Sequence, residues 1–200
     1  MRRKRLLLIF SLLVALGYLG LYCASASREA TVCTNAGSMI AKMKTIHTAQ
    51  EEFRQKDSDK NGAHDYWCQD VAGLYALSPE GKPLMFITEE LAKADLRPAA
   101  RLPWKEGPVP AVGYWVAALP FSDKKSDRNR FAVCAWPSEP MAGTWTFVMS
   151  HSGVIYGKEC LPPLTYPENP SREGWVTPEQ VYNLTRKRRD PLWWVRPWDY

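Results

Sequence analysis

The sequence predicts an α+β protein, an N-terminal membrane or stem helix packed on an antiparallel sheet of about four strands, followed by an irregular C-terminal tail. Three observations carry this. No proline occurs from Met1 to Asp57, so one helix is free to run the whole stretch. From Gly113 onward, short runs rich in β-branched and aromatic residues alternate with turn residues. The chain's sixteen prolines gather in a central connection and in the last forty residues, where regular structure gives way.

The first element is Met1 to Ala26. Arg2, Arg3, Lys4 and Arg5 form a cationic cluster, and Leu6 to Tyr22 follows without a charge. Counted to Ala26, the uncharged run rises about 31 Å as a helix, close to the hydrocarbon thickness of a bilayer. The cluster before the run, with Arg28 and Glu29 balancing after it, places the N-terminus inside and the domain outside the cytoplasm. The lipid bilayer is thus the first expected partner, through Leu6 to Ala26. Ala24-Ser25-Ala26 also fits a signal-peptidase site, which would release a secreted or periplasmic form beginning near Ser27. Three parts follow: 1–26 as anchor or signal, 27–160 as the α+β domain, and 161–200 as a proline- and tryptophan-rich tail.

The net charge of +5 would suggest nucleic acid, but Arg2, Arg3, Lys4 and Arg5 supply four of those charges. A nearly neutral exported domain lacks the cationic excess of a phosphate-binding surface, so no nucleic-acid partner is expected. Of the five cysteines, Cys23 lies in the anchor, while Cys33, Cys68, Cys134 and Cys160 lie beyond it. In an oxidising compartment four cysteines permit two disulfides in three connectivities; unpaired buried thiols are the alternative. No Cys-x-x-Cys is present.

Ser27 to Gln55 reads as a continuing amphipathic helix. Cys33, Met39, Ile40, Met43, Ile46, Ala49 and Phe53 recur at spacings of three and four, and Lys42, Lys44, His47, Thr48, Glu51, Glu52 and Arg54 fall largely opposite. Gly37 and Ser38 mark a bend point. A polar turn from Asp57 to Asp65 ends it, then a short segment around Val71 to Leu77. Ile87 to Leu96 reads as a second helix, stopped by Pro98. The expected strands are Tyr114 to Leu119, Phe131 to Trp136, Thr144 to Met149 and Val154 to Lys158. Their links are too short for helical crossovers, which predicts an antiparallel meander. In the tail, Thr177 caps a short helix over Pro178 to Lys187.

The strongest local chemical signal is Asp57-Ser58-Asp59-Lys60-Asn61-Gly62-Ala63-His64-Asp65. An EF-hand-like calcium loop needs oxygen ligands at positions 1, 3 and 5, glycine at 6, a backbone carbonyl at 7 and often an acid at 9. Asp57, Asp59, Asn61, Gly62, Ala63 and Asp65 fill those places. Position 12, where such loops carry a bidentate glutamate, is Cys68, with Asp70 two residues on as substitute. The expected cofactor is calcium; the competing reading is an Asx-rich helix stop, built from the same residue types.

His47, His64 and His151 fall in no paired-ligand spacing, and Ser150-His151-Ser152-Gly153 reads as a hairpin turn rather than a nucleophile beside its base. No acid pair suits glycoside hydrolysis and no small-molecule substrate is indicated. Arg186-Lys187-Arg188-Arg189 with Trp193, Trp194 and Trp198 reads as a partner or membrane-surface patch, or as an arm folded back over the sheet.

Asn35 through Asp57, with Met43-Lys44-Thr45-Ile46-His47-Thr48-Ala49-Gln50-Glu51-Glu52-Phe53-Arg54 and then Gly73-Leu74-Tyr75, resembles the stem-helix region of bacterial type II secretion pseudopilins of the major, G-like kind. Phe131 through Glu139, then Gly143, Thr146-Phe147, Gly153-Val154-Ile155-Tyr156 and Lys158-Glu159, resembles an uncharacterised bacterial envelope family, a domain of unknown function. Gly113-Tyr114-Trp115 and the stretch from Ala92 to Pro98 also fit that family. The resemblance implies a pilin-like stem helix plus sheet, brings no catalytic residues, and suggests envelope or secretion-system proteins as partners. The chain departs from pseudopilins at its start: Arg5 stands before the apolar run where they carry glycine, and Leu6 to Tyr22 holds no acid. The expected function is a non-enzymatic, envelope-anchored structural or interaction protein. The alternative is a secreted glycan-binding protein or hydrolase that uses the aromatic C-terminal region.

Overall fold

The computed structural model describes residues 2–78, 82–96, 98–99, 107–119, 129–139 and 142–159, without the side chains of 2–15, 19, 20 and 159. The expected helix at Pro178 to Lys187 and the patch from Arg186 to Trp198 lie outside these residues.

One helix, α1 (Arg2–Lys56), runs 55 residues, about 80 Å, and passes Gly37 and Ser38 without interruption. Its two halves differ. Leu16, Tyr18, Leu21 and Tyr22 are exposed, and burial begins at Met39. Met39, Ile40, Met43, Ile46, Ala49 and Phe53 then enter the core at the predicted spacing, while Cys33 stays exposed. Among the described residues no helix is long and apolar enough to cross a membrane. Most of the anchor expected at Leu6 to Ala26, however, lies where side chains are not described.

Two short helices follow, α2 (Gly73–Ala76) and α3 (Glu89–Lys93). Thr88 caps α3, its Oγ1 accepting the Leu91 amide at 3.3 Å, and Glu89 and Glu90 favour the positive end of the helix. The expected helix over Ile87 to Leu96 is therefore shorter. Ile87 precedes the cap as a core side chain, and Asp95 is drawn out of helical geometry to pair with Val116 and accept the Val71 and Ala72 amides at 2.6 and 3.0 Å.

The four strands are β1 (Tyr114–Ala118), β2 (Ala132–Pro137), β3 (Trp145–Ser150) and β4 (Ile155–Glu159). Neighbours pair antiparallel in the order β1-β2-β3-β4, the predicted meander. The β3–β4 link turns at Ser150 to Gly153, where Gly153 adopts φ 73° and its amide donates to Ser150 at 2.9 Å. His151 and Ser152 are turn residues, as the sequence predicts.

Alternation along the strands sorts side chains to two faces. Tyr114, Val116, Val133, Ala135, Phe147, Met149 and Ile155 join the α1 core. Ala117, Ala132, Cys134, Trp136, Val148 and Tyr156 form a second cluster on the other face. Both faces are buried, so β2 has no solvated side at all. The expectation that a helix covers one face is met, and the side chains of the other face are buried as well.

Among the described residues, Cys33, Cys68 and Cys134 form no disulfide with one another, and two bridges among the four cysteines would require at least one such bond. The placement explains it. Cys134 projects from the second face with Sγ toward the Ala117 carbonyl, whereas the Cys68 Sγ donates to the Arg130 carbonyl at 3.1 Å and packs beside the α1 core.

Candidate functional site

The site begins where α1 stops. Asp57 takes φ 46° and the Ser58 amide reaches back to the Phe53 carbonyl at 3.2 Å, which satisfies an end carbonyl as left-handed helix caps do. Arg54 and Lys56 place positive charge in the negative last turn. Lys60 and Gly62 also have positive φ, at 56° and 79°, so three of the six residues from Asp57 to Gly62 take left-handed geometry.

This tight path gathers the predicted oxygens. Asp57 Oδ2 accepts the Gly62 amide at 3.1 Å, Asp59 Oδ2 accepts Asn61 Nδ2 at 2.8 Å, and both Asp65 oxygens approach the same Nδ2 at 3.3 and 3.5 Å. The Ala63 amide donates to Asn61 Oδ1 at 2.7 Å. Asp57, Asp59, Asn61, Ala63 and Asp65 therefore form one closed loop, with the Asn61 NH₂ between the Asp59 and Asp65 carboxylates. Burial raises the Asp59 pKa, the Asn61 amide opposes this, and the charges of Asp65 and Asp57 raise it further. Asp57 Oδ1 is buried with no hydrogen-bond partner.

Asp70 stands apart from this loop. Its Oδ1 accepts Trp67 Nε1 at 2.7 Å and the Gly73 amide at 2.8 Å, and its Oδ2 accepts the Ala99 amide. At 1% exposure it is a buried brace for the turn into α2 rather than a free twelfth-position ligand. Cys68, at position 12 itself, offers no oxygen. Among the described residues no group of three or more His, Cys, Asp or Glu side chains stands in metal-holding geometry. The oxygens of Asp57, Asp59 and Asp65 thus suit a cation only if the Asn61 amide turns its oxygen inward.

After the loop the chain returns along α1 and is stitched to it residue by residue. Arg54 Nε donates to the His64 carbonyl at 3.2 Å, and His64 Nδ1 faces the Arg54 carbonyl at 3.0 Å. Tyr66 Oη donates to Glu51 at 2.6 Å and accepts from Arg54 at 3.1 Å, with the guanidinium 5.0 Å from its ring centroid. Gln50 closes the seam: its Nε2 donates to the Trp67 carbonyl at 2.5 Å and its Oε1 accepts the Trp67 amide at 3.0 Å. Sequence reasoning passed over Gln50, whose signal was a polar residue at apolar spacing between Ile46 and Phe53.

His47 and His151 meet beside this seam, with His47 Nε2 at 3.1 Å from the His151 carbonyl. Burial lowers the His151 pKa, and the charge of Arg130 adds to this against Glu51. Further toward the N-terminus, a groove of about 430 Å³ runs between α1 and β3, lined by Cys33, Gly37, Ile40, Lys44, Trp145 and Phe147 among others.

No family model matches this chain, and no curated protein or solved structure matches it.

Proposed function

We propose that this protein is a non-enzymatic envelope component, anchored in the bilayer through Leu6 to Ala26, whose pilin-like α+β domain is carried outside the cytoplasm on a helical stem and engages other envelope or secretion components. The observation that carries the proposal is the division of α1: a 55-residue helix that joins the core only from Met39 and exposes Leu16, Tyr18, Leu21 and Tyr22 ahead of it. A helix that is apolar all round belongs in lipid, and one that is apolar on a single face belongs against a sheet; this sequence changes from the first pattern to the second along one rod. The stem resemblance to pseudopilins supports the same layout. Arg5 and the absence of an acid in Leu6 to Tyr22 leave prepilin-type processing out of the proposal.

The test is membrane fractionation of the full chain beside a chain lacking residues 1–26, with N-terminal sequencing. The expected result is an unprocessed full chain that resists carbonate extraction and a soluble shortened chain. A soluble mature form beginning near Ser27 would remove the anchor.

The Asp57 to Asp65 loop belongs to this reading as a weak calcium site at the foot of the domain. What supports it is the buried, unpartnered Asp57 Oδ1 together with an amide NH₂ held between two carboxylates, where a cation would be better matched. Calcium that binds only the folded chain raises its melting temperature, and no rise at millimolar calcium would exclude the site.

A further inference from the structure

The turn that joins β3 to β4 is fastened to α1 through a pair of histidines. His47 Nε2 lies 3.1 Å from the His151 carbonyl oxygen. The same ring packs against Gly153, where a Cβ would stand 3.0 Å from Nε2 and 3.2 and 3.3 Å from the carbons beside it. The helix thus meets the turn at two points, His151 and Gly153. Behind the turn, the His151 amide donates to the Phe131 carbonyl at 3.1 Å. Aromatic rings close the box: centroids lie 6.0 Å apart for His47 and Phe131, 5.1 Å for Tyr66 and Phe131, and 6.4 Å for Tyr66 and His151. Phe131 and Tyr66 are buried, at 2% and 6% exposure, and both histidines are half-buried.

The charges around the His151 ring are mostly of one sign. From α1 it faces His47, Glu51 and Arg54, and from the chain entering β2 it faces Arg130. Tyr66, on the segment that returns along α1, is a further titratable neighbour; burial, its largest influence, raises its pKa and keeps the phenol neutral. Glu51, the opposing carboxylate, already accepts the Tyr66 hydroxyl at 2.6 Å. A proton on His151 therefore adds positive charge beside two guanidinium groups where water screens poorly. Burial first, and then Arg130, hold the ring below its ordinary pKa. In a released turn the ring regains water and its ordinary value, so protons favour release.

We propose that the Ser150 to Gly153 turn is an acid-released clasp: protonation of His151 frees the turn from His47 and α1 while the strand pairing and the α1 core stay intact. Release uncovers Phe131 and Tyr66, so an aromatic surface beside α1 is offered only in acid. The inference stands independently of the envelope reading. The neutral ring keeps the clasp closed above pH 6.5. Closure weakens as pH falls from 6.5 toward the folded pKa, by at most about tenfold per pH unit for one proton.

Hydrogen exchange of the full chain in mild detergent tests this, read by mass spectrometry at pH 7.5, 6.5 and 5.5 and divided by the intrinsic rate at each pH. Peptides carrying the His151 and Gly153 amides, bonded to the Phe131 and Ser150 carbonyls, should lose protection by about three- to tenfold between pH 6.5 and 5.5. Peptides of α2 and β1 should keep theirs. In His151→Asn the turn should be equally protected at all three pH values. Turn protection that stays flat in the parent, falls as steeply in His151→Asn, or falls together with α2 and β1 would overturn the clasp. Should His151→Asn fail to fold, the parent decides: the His151 Hε1 proton, followed by NMR, should titrate over the interval in which turn protection falls. Titration of the ring without loss of protection would overturn the proposal as well.

Discussion

Replacing Gln50 by leucine tests whether the seam that returns the chain along α1 is a true structural lock. Gln50 is 4% exposed and makes two hydrogen bonds to the backbone of Trp67, one through each end of its amide. Leucine has similar volume and leaves no cavity, so the cost isolates the polar loss. It strands the Trp67 amide and carbonyl, each worth about 1 to 3 kcal/mol if fully desolvated. Trp67 is only half-buried, which favours the lower end, and the added apolar burial offsets part of the loss. The net expectation is about 2 kcal/mol, read as a lower urea midpoint and a fall of roughly 4 to 8 °C in Tm for the full chain in mild detergent. Gln50→Glu is the companion. It keeps an acceptor for the Trp67 amide but sets a carboxylate oxygen against the Trp67 carbonyl, so its folded pKa is raised. That variant should lose stability as pH rises above about 4.3 and regain it in acid. A loss under about 0.5 kcal/mol for Gln50→Leu, or a pH-independent Gln50→Glu, would refute the lock.

Three other outcomes are expected. Gly143→Ala would place a methyl against the Tyr114 ring and hydroxyl, with Tyr114 itself fully buried, and should cost about 1 to 3 kcal/mol by urea denaturation. His151 has a folded pKa below its ordinary 6.5, so its neutral form gives full stability above that value, and stability is lost as pH falls from 6.5 toward the folded pKa. Urea midpoints at pH 7.5 and 5.5 should therefore differ less in His151→Asn than in the parent. Asp59 has a raised pKa, so its ionised form is disfavoured by folding at neutral pH. Asp59→Asn should accordingly raise the calcium-free urea midpoint and abolish any melting shift on adding calcium; a variant that keeps the calcium shift would exclude Asp59 as a ligand.

The readability of the sequence varied by element for physical reasons. A long helix with one apolar face announces itself through spacing, so Met39, Met43, Ile46, Ala49 and Phe53 were assigned to the core correctly. Cys33 shares that spacing but stays exposed, because burial along α1 begins only at Met39 and periodicity does not say where a sheet ends. The strands were legible within a residue or so of their bounds because turn residues separate them. The acidic loop was legible as a group of oxygens, since Asp57, Asp59, Asn61 and Asp65 are close in sequence and a tight turn keeps them close in space. Asp70 was not, because its partners Gly73 and Ala99 are chosen by the packing of α2 and α3 rather than by local pattern.

Local order thus belongs to the sequence: one uninterrupted helix, a four-strand meander, a hairpin at Ser150 to Gly153 and an Asx-rich helix stop each follow from periodicity, proline placement and turn chemistry. Only the tertiary structure decided that Gln50 and Asp95 are buried and bonded, that Cys68 and Cys134 lie on different sides of the sheet, and that the sheet is dry on both faces. These depend on which surfaces meet across long sequence separations. The apolar residues of β2 point alternately to both faces, and nothing local says what will cover the second.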